Sequence, residues 1–136
     1  MQQAIKRLRH PRVASLICIF ILLLLPLALF GSVTLGGNTL LPADILFQFA
    51  PFQAKAATYS ITHPQNDLLA DLILQNYPWK QFILQSFGSG ELPLWNPHLF
   101  GGVPFLAAGQ HSALYPLSLL YYTLPLPNAY GWYTVA

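Results

Sequence analysis

Apolar and polar positions alternate in three different ways along this chain, and each predicts a different kind of element. Residues 13–30 read VASLICIFILLLLPLALF, with no charge anywhere in the run. As a helix this run would be roughly 27 Å long, close to the ~30 Å hydrocarbon core of a bilayer. Pro26 would break a helix in water, but in a membrane such kinks are tolerated where neighbours satisfy the freed carbonyl. The exit Leu29-Phe30-Gly31-Ser32 lacks the small-x-small pair of a cleaved signal peptide, and the run exceeds the 7–15 residues of a signal h-region. The expectation is an uncleaved signal-anchor.

Residues 66–88 carry helical periodicity. Asn66 suits an N-cap, with Asp67 at the positive end of the helix dipole. Leu68, Leu69, Leu72 and Ile73 make an apolar stripe, and Asp71 and Gln75 fall on the opposite face. Tyr77 precedes Pro78, which biases it away from the α region and predicts that the helix ends or kinks there; Pro78 can then restart a helix at its first turn. Trp79, Phe82, Ile83, Ser86 and Phe87 continue at three-four spacing, and Gly88 is a suitable stop. The prediction is a helix-kink-helix unit lying on something apolar.

From Glu91 the pattern disappears. Pro93, Pro97 and Pro104 with Gly101-Gly102 exclude regular helix or central strand and describe a shaped loop. Residues 114–126 are apolar but interrupted by Pro116 and Pro125, too short and broken to span, and Tyr115, Tyr121 and Tyr122 suit the headgroup belt. Residues 130–136 look like the opening turn of another membrane helix. Ahead of the helical unit, Gly36-Gly37-Asn38 is a turn signal, and Pro42 followed by Asp44 predicts a short helical turn ended by Pro51.

The fold class expected is therefore a mainly α membrane protein. Residues 1–12 form a basic cytoplasmic N-terminus, 13–30 a transmembrane signal-anchor, 31–113 an extracytoplasmic loop, and 114–136 an interfacial segment with the start of a second span.

Composition agrees with a membrane class: 54% of the 136 residues are hydrophobic and 7% charged, against about 25% charged in soluble domains. Lys6, Arg7, Arg9 and Arg12 all precede the apolar run, with no acid among them. A nucleic-acid patch is one reading of that cluster, but abutment to a lipid-soluble run fits the positive-inside rule. No nucleic-acid partner is expected. The remainder, Lys55 and Lys80 against Asp44, Asp67, Asp71 and Glu91, is mildly acidic. Cys18 is the only cysteine and lies in the apolar run, which excludes a disulfide framework and a cysteine metal site.

One set of residues comprises Pro42 to Leu46, Asp71 with Tyr77-Pro78-Trp79, and Gly90-Glu-Leu-Pro-Leu-Trp-Asn-Pro97. Phe100-Gly-Gly102, Pro104-Phe105, Gly109-Gln110 and Tyr115-Pro-Leu117 complete it. This set is similar to the N-terminus of the bacterial YfhO family of multi-pass membrane proteins, which look like GT-C-fold glycosyltransferases. The resemblance covers most of the chain. Because family members carry many more spans, it implies an N-terminal fragment, inactive by itself, of a protein in the bacterial cytoplasmic membrane. It also implies a polyprenyl-phosphate sugar as donor, a cell-envelope polymer as acceptor, and a functional aspartate in the first extracytoplasmic loop. Asp71 is the position matched to that aspartate, with Asp44 as runner-up.

Sugar transfer from a phosphate leaving group needs a base for the acceptor hydroxyl and a countercharge for the phosphate. Asp71 is the candidate base, Gln75 its orienting neighbour and Lys80 the countercharge; Asn96 and Gln110 are candidate hydrogen-bonding partners of a sugar. Each has a plainer alternative: a solvated helix residue for Asp71, a turn-former for Asn96. Trp79 and Trp95 suit headgroup anchoring or stacking on a sugar. His98, His111 and Asp71 offer divalent-metal donors, against the plainer role of hydrogen-bonding loop histidines. Two non-enzymatic readings stand beside the transferase: a multi-pass scaffold or transporter subunit, and a short membrane-anchored binding protein.

Overall fold

The computed structural model describes residues 11–136. The chain is mainly helical. An apolar helix α1 (Pro11–Leu29) runs through a one-turn helix α2 (Gly31–Thr34) into a head built from short helical pieces. In the head, 3-10 turns at Ala43–Gln48, Phe52–Lys55, Ala57–Tyr59 and Asp67–Leu69 lead to a π-helical turn, Leu72–Asn76, and then to α3 (Tyr77–Gly88). A two-stranded hairpin of β1 (Trp95–Asn96) and β2 (Val103–Pro104) follows, then α4 (Phe105–Ala108), a 3-10 turn at Pro116–Ser118, α5 (Leu119–Thr123) and α6 (Leu126–Val135).

α1 is long and apolar enough to cross a membrane, and none of its 12–29 stretch is buried by the rest of the chain. A signal sequence has the same properties. Lys6, Arg7 and Arg9, on which the expected orientation rests, lie outside the described residues. Past Pro26 the helix continues, the Phe30 amide donating to the Pro26 carbonyl at 2.9 Å.

Asn66 caps the Asp67–Leu69 turn, its Oδ1 accepting the Leu68 amide at 3.1 Å. The break predicted at Tyr77–Pro78 takes the form of a change in winding. Tyr77 keeps α geometry (φ −62°, ψ −49°), and the turn before it is widened to π. A π turn changes which carbonyls are paired and so accommodates a proline that lacks an N–H. Tertiary contacts hold this winding: the Tyr130 hydroxyl donates to Asn76 Oδ1 at 2.8 Å, and the Tyr130 ring stacks on Tyr77 with centroids 6.4 Å apart. α3 ends as predicted at Gly88, but the left-handed residue is Gly90 (φ 74°). The Glu91 amide donates to the Ser86 carbonyl and the Gly90 amide to that of Phe87, the paired bonds of a Schellman stop.

α3 lies between two apolar clusters. On one side are Tyr121, Leu126, Ala129 and Tyr130, with Leu72, Tyr77 and Leu84 packed against them. On the other are Ile83, Phe105 and Ala113, with Trp79, Phe82 and Phe87. Phe105 is the hub of the second, receiving the edges of Trp79 (6.1 Å) and Phe82 (5.0 Å) and the stacked ring of His111 (4.1 Å). The hairpin closes over Gly102 (φ 121°), where a Cβ would fall 2.5 Å from the Trp95 indole.

The segment expected to open a second span is the later part of α6. This ten-residue helix turns Ala129, Tyr130 and Gly131 into the head. It seats on α2 through Gly131, where an added Cβ would collide with Val33 Cγ1. Thr39 adds a clasp, its hydroxyl donating to the Pro127 carbonyl at 2.7 Å. The end of α1 is thereby joined to the C-terminal helices.

Candidate functional site

On the winding described above, Ile73, Asn76, Tyr77, Lys80 and Leu84 recur at three-four spacing, so Lys80 occupies a core position of its helix. It is 2% exposed. Its Nζ donates to the His111 carbonyl at 2.6 Å and lies 4.4 Å from the centroid of the Tyr121 ring. Among the described residues no carboxylate pairs with it. Burial lowers its pKa to about 8, because desolvation disfavours the charged form; at neutral pH it remains mostly an ammonium.

His111, also 2% exposed, holds the loop that supplies this carbonyl. Its Nδ1 accepts the Ala113 amide at 3.0 Å, which assigns the proton to Nε2, donated to the Phe105 carbonyl at 2.7 Å. Desolvation is the main cause that lowers its pKa, reinforced by the Lys80 charge and opposed by backbone bonds to Phe105 and Leu106. The imidazole is neutral and structural.

Lys80 lines a pocket of about 340 Å³, inside the range of small-molecule sites. One wall is Leu40, Leu69 and Leu72; the polar part is Lys80, Asn76, Ser112, Thr134 and the tyrosines 121, 130 and 133. Burial raises the pKa of Tyr121 and Tyr130, so their hydroxyls stay protonated. No described residue bonds the Tyr121 or Tyr133 hydroxyl. A cation, neutral O–H donors and a leucine wall suit an oxyanion carried on an apolar stem. Leu40 and Thr134 bring the pocket to the place where α2 and α6 meet, at the end of the apolar helix.

The other predicted site residues are dispersed. Asp71 is exposed, immediately precedes the π turn and makes no side-chain hydrogen bond; it does not line the Lys80 pocket. Asp44 is half-buried and its Oδ2 accepts the Gln65 amide at 2.7 Å, tying two loops together. Gln110 is exposed beside the left-handed Gly109. Gln75 and Asn96 do come together, lining a second pocket of about 310 Å³ on the opposite flank of α3. Asn96 also acts as a turn-former, Oδ1 accepting the His98 amide at 2.9 Å.

The two loop histidines stand at opposite ends of a run of four rings, His98–Phe82–Phe105–His111. Among the described residues no group of three or more His, Cys, Asp or Glu side chains could hold a metal ion. Sequence reasoning selected Lys80 but not the tyrosines around it. Tyr121 reads as a membrane-belt residue and Tyr130 as part of the opening turn of another membrane helix, and no local signal marks a ring that packs on a helix some 40–50 residues earlier.

No protein-family model matches this chain, and no curated protein or solved structure matches it either.

Proposed function

We propose that the chain is part of a membrane glycosyltransferase-like protein of the GT-C class, taking sugar from a polyprenyl-phosphate donor to a cell-envelope acceptor. In this reading α1 crosses the bilayer with its basic end cytoplasmic, and the head lies outside. The observation that carries it is the Lys80 pocket. An ammonium without a carboxylate partner, beside a leucine wall and next to the end of an apolar helix, has the chemistry required by a phosphate on a lipid tail.

Transfer then divides between two residues. Asp71 takes the proton of the acceptor hydroxyl as its oxygen bonds to the anomeric carbon. The bond from that carbon to the phosphate oxygen breaks, its electron pair passes to the phosphate, and Lys80 offsets the charge. The test is incorporation of labelled sugar into envelope polymer by cells producing Asp71→Asn or Lys80→Met at normal protein levels. Loss of roughly 10²-fold or more for Asp71→Asn is expected of a general base; unchanged incorporation would remove Asp71 from the mechanism.

One observation favours a second reading. Asp71 lies outside the pocket lining, as it would in a membrane-anchored module that binds a lipid phosphate without reacting it. Phosphate-lipid binding lost in Lys80→Met, with transfer intact in Asp71→Asn, would select that reading.

A further inference from the structure

The pocket on the opposite flank of α3 has chemistry of another kind. Gln75 of the π turn and Gln81 and Gln85 of α3 line it together with Trp79, Asn96 at the end of β1 and His98 of the loop that follows. Its lining has no carboxylate, lysine or arginine. None of the three glutamine amides is bonded to another described residue. Asn96 is only 4% exposed; its Oδ1 is taken by the His98 amide, while its Nδ2 has no acceptor among the described residues. Among the described residues no buried side-chain nitrogen or oxygen lacks a partner, so this Nδ2 reaches solvent and is open to donate to a ligand.

We infer that this groove binds a neutral saccharide. Hydroxyl-rich ligands need donors and acceptors in equal measure, and each carboxamide supplies both. Full charges would add nothing to recognition of an uncharged sugar, and there are none. Trp79 is half-buried, its ring already fixed edge-on to Phe105 at 6.1 Å, so it offers a sugar ring an apolar face at little entropic cost. Pro78 and Phe82 extend that face. The inference uses neither Asp71 nor Lys80, but it shares Gln75 and Asn96 with the residues expected to serve transfer.

The test is a tryptophan-fluorescence titration of the full chain in lauryldimethylamine oxide, a detergent without a sugar headgroup. Maltohexaose, cellohexaose and chitohexaose are the neutral probes, and a galacturonic-acid hexamer is the anionic one. At least one neutral hexasaccharide is expected to bind in the millimolar range, and Trp79→Phe to abolish the fluorescence change. Gln81→Leu with Gln85→Leu, both at exposed positions, is expected to weaken binding at least tenfold, measured by saturation-transfer NMR. Three results would overturn the inference: no neutral probe bound at about 10 mM, unchanged affinity in the double variant, or the anionic hexamer binding as well as the neutral ones. Incorporation of labelled sugar by Asp71→Asn cells is read separately from these titrations, so failure of the groove and failure of transfer are distinguishable.

Discussion

Helices α1 and α3 put the same apolar residue types to opposite uses. In α1, Leu16, Phe20, Leu22 and Leu23 are all 60–67% exposed. In α3, Ile83 is wholly buried and Lys80, the residue least suited to a core, is buried beside it. Composition already distinguishes an almost wholly apolar α1 from an α3 that carries Lys80, Gln81, Gln85 and Ser86, and their partners follow that difference. The head covers α3 on two flanks and leaves α1 bare, so α1 takes no part in the stability of the head, and α3 carries much of it. Four substitutions, one of them paired with a rescue at Val33, bear on that contrast.

The largest loss is expected from Phe105→Ala, which removes the hub between Trp79, Phe82 and His111. Phe→Ala in a packed core costs about 3–5 kcal/mol, so thermal unfolding in detergent should drop by many degrees. A loss under about 1 kcal/mol would mean that α3 is not held as described. Leu22→Arg is the counterpart in α1. It should penalise membrane insertion by roughly 3–4 kcal/mol at a helix centre, read as the fraction of chain resistant to carbonate extraction. The unfolding temperature of the head should not move. If the head unfolds earlier, α1 packs on it after all.

Gly131→Ala tests the junction between the two regions. The added methyl would meet Val33 Cγ1, and overpacking of this kind costs typically 1–3 kcal/mol. Val33→Ala in the same chain should recover most of the loss. Failure of that rescue, by the same unfolding measurement, would deny that α6 seats on α2 at this point.

Much of this was legible in advance, for reasons specific to each segment. The apolar helix, the Asn66 cap and the α3 stop rest on local chemistry, which a sequence carries within a few residues. The Asn96 turn is equally local. The continuity of the helix through Pro78 was not legible, because Tyr130 holds Asn76 and Tyr77 from the far end of the chain. Nor was the burial of Lys80: its neighbours Trp79 and Gln81 gave no sign that the ammonium would find a carbonyl at His111 and a ring at Tyr121. The carboxylates Asp71 and Asp44 could be named from sequence, but their separation from that pocket depends on how distant loops pack.

Lys80→Met gives the smallest effect and the most specific one. The folded-state pKa of Lys80 lies at about 8, against 10.5 for the ordinary side chain. Below pH 8 both folded and unfolded chains hold the proton, and the full cost of burying the ammonium is present. Between pH 8 and 10.5 the folded chain has released its proton and the unfolded chain has not, so stability rises with pH. The gain is on the order of 1–2 kcal/mol once solvent screening beside an open pocket is allowed for. Above pH 10 the trend reverses, because Tyr121 and Tyr130 are held neutral in the fold and ionise more readily unfolded. His111 acts at the other end: its lowered pKa means that stability falls as pH drops below about 6.5. Lys80→Met should therefore be more stable than the parent at pH 7 and lose the rise between pH 8 and 10, while keeping the losses at both extremes. Urea unfolding across that range checks all three features. A parent without the rise would mean that Lys80 keeps an ordinary pKa, and the contrast between a core that tolerates a charge and a helix that excludes one would lose its main support.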